Sequence, residues 1–180
     1  FALEDRERAR RLQERSLALY RAVGDRWGTA NVLDRLGWLA WHRGDHSEAE
    51  RLHREVLAIR EAFGDRRGIA CALQGVSDAL LNQGQVHEAA RMKRESIALC
   101  REIGDRFYLA SGLHSLGVTC LTMSEYEEAR TALEESLSIR TDLGVWPVMT
   151  EAVLAWLDIS EGRYAQARTR AQGCLATAQA

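Results

Sequence analysis

The chain has 180 residues, 46% hydrophobic and 28% charged, with a net charge of -2 and a single proline, Pro147. That balance suits one folded unit with ample material for a core and almost nothing to block helix. It leaves no basic stripe for direct nucleic-acid binding, and no run approaches the roughly 18 apolar residues of a membrane span.

Basic charge is almost all arginine, Lys93 being the single lysine, a skew that fits a GC-rich coding genome. Four cysteines (Cys71, Cys100, Cys120, Cys174) form no CxxC pair and sit inside helical stretches, as small apolar residues of a reduced compartment do. No signal-peptide pattern opens the chain, and a cytoplasmic location is expected. The first residue is Phe1 and "CLATAQA" stops inside a helical pattern, so a segment of a longer protein is expected.

Residues 1–24 keep Ala9, Leu12, Leu17 and Leu19 in register with the second helix of a repeat and read as that helix, its first helix lying upstream. "VGDRWG" follows, and the phrase returns as "FGDRRG" and "IGDRFY"; Gly24, Gly64, Gly104 and Gly144 lie 40 residues apart. A fixed period in this range marks a repeat array. Three full repeats are expected at 25–64, 65–104 and 105–144, and a shortened fourth at 145–180, all in one domain over 1–180.

Each repeat divides into two amphipathic helices. The first carries the columns Ala30, Ala70, Ala110 and Leu33, Leu73, Leu113, then Leu36, Val76, Leu116; the second carries Ala49, Ala89, Ala129 and Leu57, Ile97, Leu137. Removing short turns leaves about 17 residues per helix, roughly 25 Å. Gly44 and Gly84 end the first helices, with Ser124 in that place in the third repeat, while "DHSE" and "SEYE" read as capping boxes for the second. In Gly-Asp-Arg, glycine closes one helix, and Asp25, Asp65 or Asp105 caps the next. Capping explains the tripeptide without a phosphate or receptor. In the fourth pair Gly162 falls two residues early.

These columns resemble tetratricopeptide repeats. The Leu-Gly of the family's first helix is matched by Leu36-Gly37 and Leu116-Gly117, more weakly by Val76-Ser77, and its small second-helix residue by Ala49, Ala89 and Ala129. The period of 40 departs from the common 34, though a longer variant with "GD" at the junction is familiar. It looks like arrays in bacterial signal-transduction ATPases, in activators of the antibiotic-regulatory or maltose-regulator type, and in polarity scaffolds and kinesin light chains. The resemblance implies an all-α, right-handed solenoid of antiparallel helix pairs; HEAT or armadillo pairs are the alternative, disfavoured by the small-residue columns.

It further implies that first helices line a concave groove for a protein, a peptide or another domain of the same parent chain. The groove candidates are Asn31, Asp34, Trp38, Trp41 and His42, then Cys71, Gln74, Asp78 and Asn82, then Ser111, His114, Val118 and Thr122. Trp38 and Trp41 share one side of a helix and read either as binding anchors or as packing against an upstream element. Trp27, Trp146 and Trp156 are expected at helix junctions. No lysine supports a carboxylate clamp at Asn31 and Asn82, whereas Asp34 and Asp78 favour a partner with basic or amide donors. The charged strings "EAERLHRE" and "EAARMKRE" read as a solvated convex face, which a partner could equally dock on.

No catalysis, cofactor or metal is expected. Cys71, His114 and Asp78 can be drawn as a nucleophile set, but nothing supplies an oxyanion hole. His42 and His46 have HxxxH spacing with Gly44 between them, and no phosphate-binding glycine loop occurs. The expected role is non-catalytic: a sensor or regulatory segment of a larger bacterial regulator. The alternatives are a static assembly scaffold and, at the margin, a small-molecule or hydrolytic site. End-to-end stacking or homodimerisation of the chain is a further expectation.

Overall fold

The computed structural model describes residues 3–145 and 147–178. Among the described residues it is helical throughout, with α1 (Leu3–Ala22), α2 (Arg26–His42), α3 (His46–Phe63), α4 (Arg66–Asn82), α5 (Val86–Ile103), α6 (Arg106–Thr122), α7 (Tyr126–Asp142), α8 (Val148–Ser160) and α9 (Tyr164–Ala178). Trp146 lies outside the described residues.

Turn chemistry sets these boundaries. Gly64 closes α3 at φ 64° in the left-handed region, where a side chain would be strained. Asp65 follows with its carboxylate accepting from Gly68 N at 3.0 Å, and Asp25 and Asp105 do the same for Gly28 N and Tyr108 N at 2.8 and 3.1 Å. The Gly-Asp of the repeated tripeptide therefore closes one helix and caps the next. Its arginine varies: Arg106 reaches Asp142 at 2.6 Å, while Arg26 lies over the Phe63 ring.

One cap departs from expectation. Asp45 caps α3 through Glu48 N, but "SEYE" is not a capping box. Ser124 occupies the left-handed slot at φ 60°, and Glu125 at the N-cap makes no side-chain capping bond to α7. A residue closing the preceding helix cannot also cap the next.

The chain forms two compact units, Phe1–Leu99 and Cys100–Ala180. In the first, the small columns let helices approach closely: Ala30, Ala49, Ala70 and Ala89 are fully buried, with Leu33, Leu36, Leu52, Val56, Leu73, Val76 and Leu80 around them. Burying each such leucine contributes about 1.5–3 kcal/mol. α1 packs on α2, with Leu17 against the core, while Leu12 and Leu19 on its other side stay exposed.

The second unit buries Leu109, Leu113, Leu116, Cys120, Leu133, Leu154 and Leu157. Its last pair holds a buried carboxylate: Asp158, 1% exposed, accepts from Arg130 at 2.7 Å and Arg170 at 3.0 Å, and Arg170 also reaches Glu151 at 2.8 Å.

α8 is short, and aligning the repeats on their closing residue rather than on a fixed step shows what it carries. Counting back from Gly44, Gly84, Ser124 and Gly162, the Leu-Gly column continues as Leu154-Ala155, and the next position reads Trp38, Asp78, Val118, Trp156. Leu154 and Ala155 are buried, as this frame requires.

Candidate functional site

The first-helix faces of unit 1 gather an aromatic group at the end of α2. Trp38 stands edge-on to Trp41, ring centroids 6.1 Å apart, and Trp41 in turn meets His42 at 5.0 Å and His46 at 6.3 Å. Trp41 packs against the core, with its indole nitrogen buried and unbonded; Trp38 and His42 face solvent. The two tryptophans thus divide the two roles open to them. Trp41 packs, and Trp38 is presented.

Beneath Trp38 lies His53 of α3, 1% exposed and 5.4 Å away centroid to centroid. One repeat on, Asp78 pairs with Lys93 Nζ at 2.5 Å, and Ser77 accepts from the same ammonium at 3.0 Å. Lys93 is 0% exposed. Both buried residues belong to the charged strings expected to be solvated, and that expectation is corrected. Each turns inward because a partner on the preceding helix receives it. The Asp78 carboxylate holds a cation from within the chain and keeps 24% of its side chain exposed.

Of the other candidates in this unit, Asn31 accepts a hydrogen bond from the buried Arg60, whose guanidinium also reaches Asp65 at 3.1 Å and stacks 4.1 Å from the Trp27 ring. Trp27 meets Phe63 edge-on at 5.6 Å, the junction role expected of it. Gln74 donates to Ser96 Oγ at 3.2 Å, Asn82 to the Asp78 carbonyl at 2.8 Å, and Cys71 is half-buried.

In unit 2, Ser111 is half-buried, and His114 Nδ1 lies 3.1 Å from Thr150 Oγ1. Val118 and Thr122 come together with Leu121, Ala152, Val153 and Trp156 around an apolar depression of 390 Å³. Trp156, 53% exposed, is not junction packing. On the glycine-aligned frame it takes the place of Trp38, a signal that a fixed step of 40 hides.

Of the nucleophile set drawn with Cys71, Asp78 pairs with Lys93 and His114 Nδ1 lies beside Thr150 Oγ1. At Cys174, burial and the nearby Glu151 push the thiol up from its ordinary value, the direction that disfavours a thiolate. For a metal, donor atoms of Cys120, Glu125 and Glu128 lie within 4.8 Å of one another, and exposed carboxylates of this kind occur without an ion.

A tetratricopeptide-repeat family model matches residues 1–62 and 68–142. The chain belongs to the tetratricopeptide-repeat family. Solved structures share the fold at low identity. Aspartyl phosphate phosphatase F from Bacillus subtilis is 12% identical with a TM-score of 0.83, over 94% of this chain and 45% of that one. A Rap protein complexed with Competence and Sporulation Factor is 14% identical at 0.78, over 83% and 42%. A signal-transduction ATPase with numerous domains and a tetratricopeptide repeat sensor, from Pyrococcus horikoshii, is 15% identical at 0.80, over 97% and 28%. The chain thus spans less than half the length of each. No curated protein matches its sequence. Among the described residues no helix is long and apolar enough to cross a membrane.

Proposed function

We propose that this tetratricopeptide-repeat chain is a non-catalytic module that binds a protein or peptide on its first-helix faces, and that it serves as the sensor segment of a larger bacterial regulator. The observation that carries the binding reading is the apolar depression on α6 and α8, where Trp156 keeps 53% of its surface in solvent beside Val118 and Thr122. An indole held at the rim of an apolar hollow suits a buried side-chain anchor. The regulatory reading draws on the fold-sharing proteins, one described with a repeat sensor and one complexed with a named factor. Proteins of one fold host many functions, so the site carries the argument and the fold supports it. A cytoplasmic location belongs to the same reading.

Selection from a random displayed-peptide library tests it, using the chain and Trp156→Ala at matched helicity and melting temperature. Peptides with a large apolar residue that bind the chain and are lost in the variant are the expected result. Equal enrichment by both, or none by either, overturns the site on α6 and α8. In the longer protein, a sensor changes activity when such a peptide is added, and a scaffold does not.

A further inference from the structure

Two carboxylates on the first helices of unit 1 occupy different electrostatic positions. Asp78 is neutralised by Lys93 at 2.5 Å. Asp34 has no arginine or lysine partner among the described residues; its ionic neighbour is His53 Nδ1, 3.5 Å away. His53 is 1% exposed, and neither ring nitrogen has a hydrogen-bond partner among the described residues. The ring lies against Gly37 and Gly75, where a Cβ would come within 2.7 Å of its Nε2 and 2.6 Å of its Cγ, so the absent side chains of those two glycines make its room.

Trp38 follows Asp34 by one helical turn, so the two side chains neighbour each other. The indole is fixed edge-on between His53 at 5.4 Å and Trp41 at 6.1 Å. Both groups remain open, Trp38 at 36% and the Asp34 side chain at 37% exposure.

We infer that Asp34 and Trp38 form a seat for a cationic side chain, arginine foremost, of a peptide partner. The inference rests on the reading of the first-helix faces as the binding surface and names what this part of that surface takes. A guanidinium can satisfy both groups at once: its N–H groups donate to the carboxylate, and its plane stacks on the indole. The indole's contacts with His53 and Trp41 hold it in place before a partner arrives, which lowers the conformational entropy lost on binding. His53 forms the floor, its Nδ1 3.5 Å from the Asp34 carboxylate. The repeats supply the contrast: a carboxylate one turn along α4 received its cation from within, as Lys93, whereas Asp34 was left to find one outside.

The test is an NMR titration of the intact chain with a blocked alanine–leucine–arginine–leucine–alanine peptide, beside peptides with citrulline or norleucine at the centre. Citrulline keeps the shape of arginine and removes its charge. The arginine peptide is expected to shift the Trp38 indole N–H signal and to bind about tenfold more tightly than the citrulline one. Asp34→Asn is expected to remove most of that preference, leaving what the indole face supplies. Equal binding of arginine and citrulline peptides at Trp38 overturns the cation seat and leaves the first-helix surface standing. A preference undiminished in Asp34→Asn also overturns it, since the carboxylate then takes no part in holding the cation. If no peptide moves any first-helix signal, the seat and the wider binding reading fall together. The arginine–citrulline comparison uses the unmodified chain, so it decides the matter even if Asp34→Asn does not fold.

Discussion

The second repeat, in unit 1, and the third, in unit 2, fill one slot with opposite chemistry. In the second, Lys93 is buried against Ser77 and Asp78; in the third, Leu133 is buried at the corresponding position, against Gly117 and one residue from Val118. The first repeat offers a third solution, with His53 against Gly37 and Trp38. Each pair lies 15 residues apart, from Trp38 to His53, Asp78 to Lys93 and Val118 to Leu133. The slot held by His53, Lys93 and Leu133 therefore takes a ring, a cation or an aliphatic chain and does not demand apolarity. A buried ion pair and a well-packed apolar pair of similar volume are close in free energy, while half of either pair is costly.

The largest expected effect comes from halving the ionic pair. Asp78→Ala removes the carboxylate 2.5 Å from an ammonium that is 0% exposed, and is expected to cost about 3 kcal/mol in urea unfolding. Writing the third repeat's solution into the second, as Ser77→Gly with Asp78→Val and Lys93→Leu, is expected to restore stability to within about 1 kcal/mol of the starting chain. A triple variant as unstable as Asp78→Ala would show that the slots are not equivalent.

A smaller effect separates the floors of the same slots. A Cβ on Gly117 would meet Leu133 Cγ at 2.5 Å and the Ala129 carbonyl oxygen at 3.2 Å. Leu133 is fully buried and the carbonyl belongs to α7, so neither yields easily. Gly117→Ala is expected to cost about 1–3 kcal/mol. Ser77 already carries a Cβ at the matching place in α4, so Ser77→Ala adds no atoms and costs its hydroxyl's bonds, accepted from Lys93 and donated to the Gln74 carbonyl, about 1 kcal/mol. Thermal unfolding of the two variants ranks them, and the reverse order would refute the close-approach argument.

How far the sequence could be read follows from the range of each interaction. Glycine and aspartate at the helix junctions act on amides within four residues, so Gly64 and Asp65 announce their work locally, and the helix pairs follow. The apolar columns likewise need only the period. His53 and Lys93 did not announce themselves, because charged strings ordinarily lie in solvent and the residues that draw these two inward stand 15 places earlier on another helix. Asp34 and Asp78 look alike in the sequence; they differ only once Lys93 is known to be buried. Trp156 was lost to a frame error, since the fourth first helix is two residues short and its position shows only when counted back from Gly162. Trp38 and Val118 were legible as groove candidates; the floor beneath Trp38 and the hollow beside Val118 were not.

The smallest effect belongs to the turn between the helices of each repeat. In the first repeat Gly44 takes φ 80° and Asp45 caps α3; in the third Ser124 takes φ 60° and Glu125 makes no cap bond. A left-handed serine costs roughly 1 kcal/mol more than glycine in that conformation, but glycine loses more backbone freedom on folding. Ser124→Gly is therefore expected to gain only a few tenths of a kcal/mol. Glu125→Asp shortens the side chain to the length that caps the other helices, and is expected to add about 0.5–1 kcal/mol. The two act on different helices, one closing α6 and one opening α7, so their effects are expected to add. Melting temperatures of the two single variants and the double decide it. If Glu125→Asp gains nothing while Ser124→Gly does, the serine's strain is the sole difference between the turns. If both are needed together, the backbone at Ser124 holds Glu125 out of capping geometry, and Gly44 of the first repeat is what lets Asp45 cap.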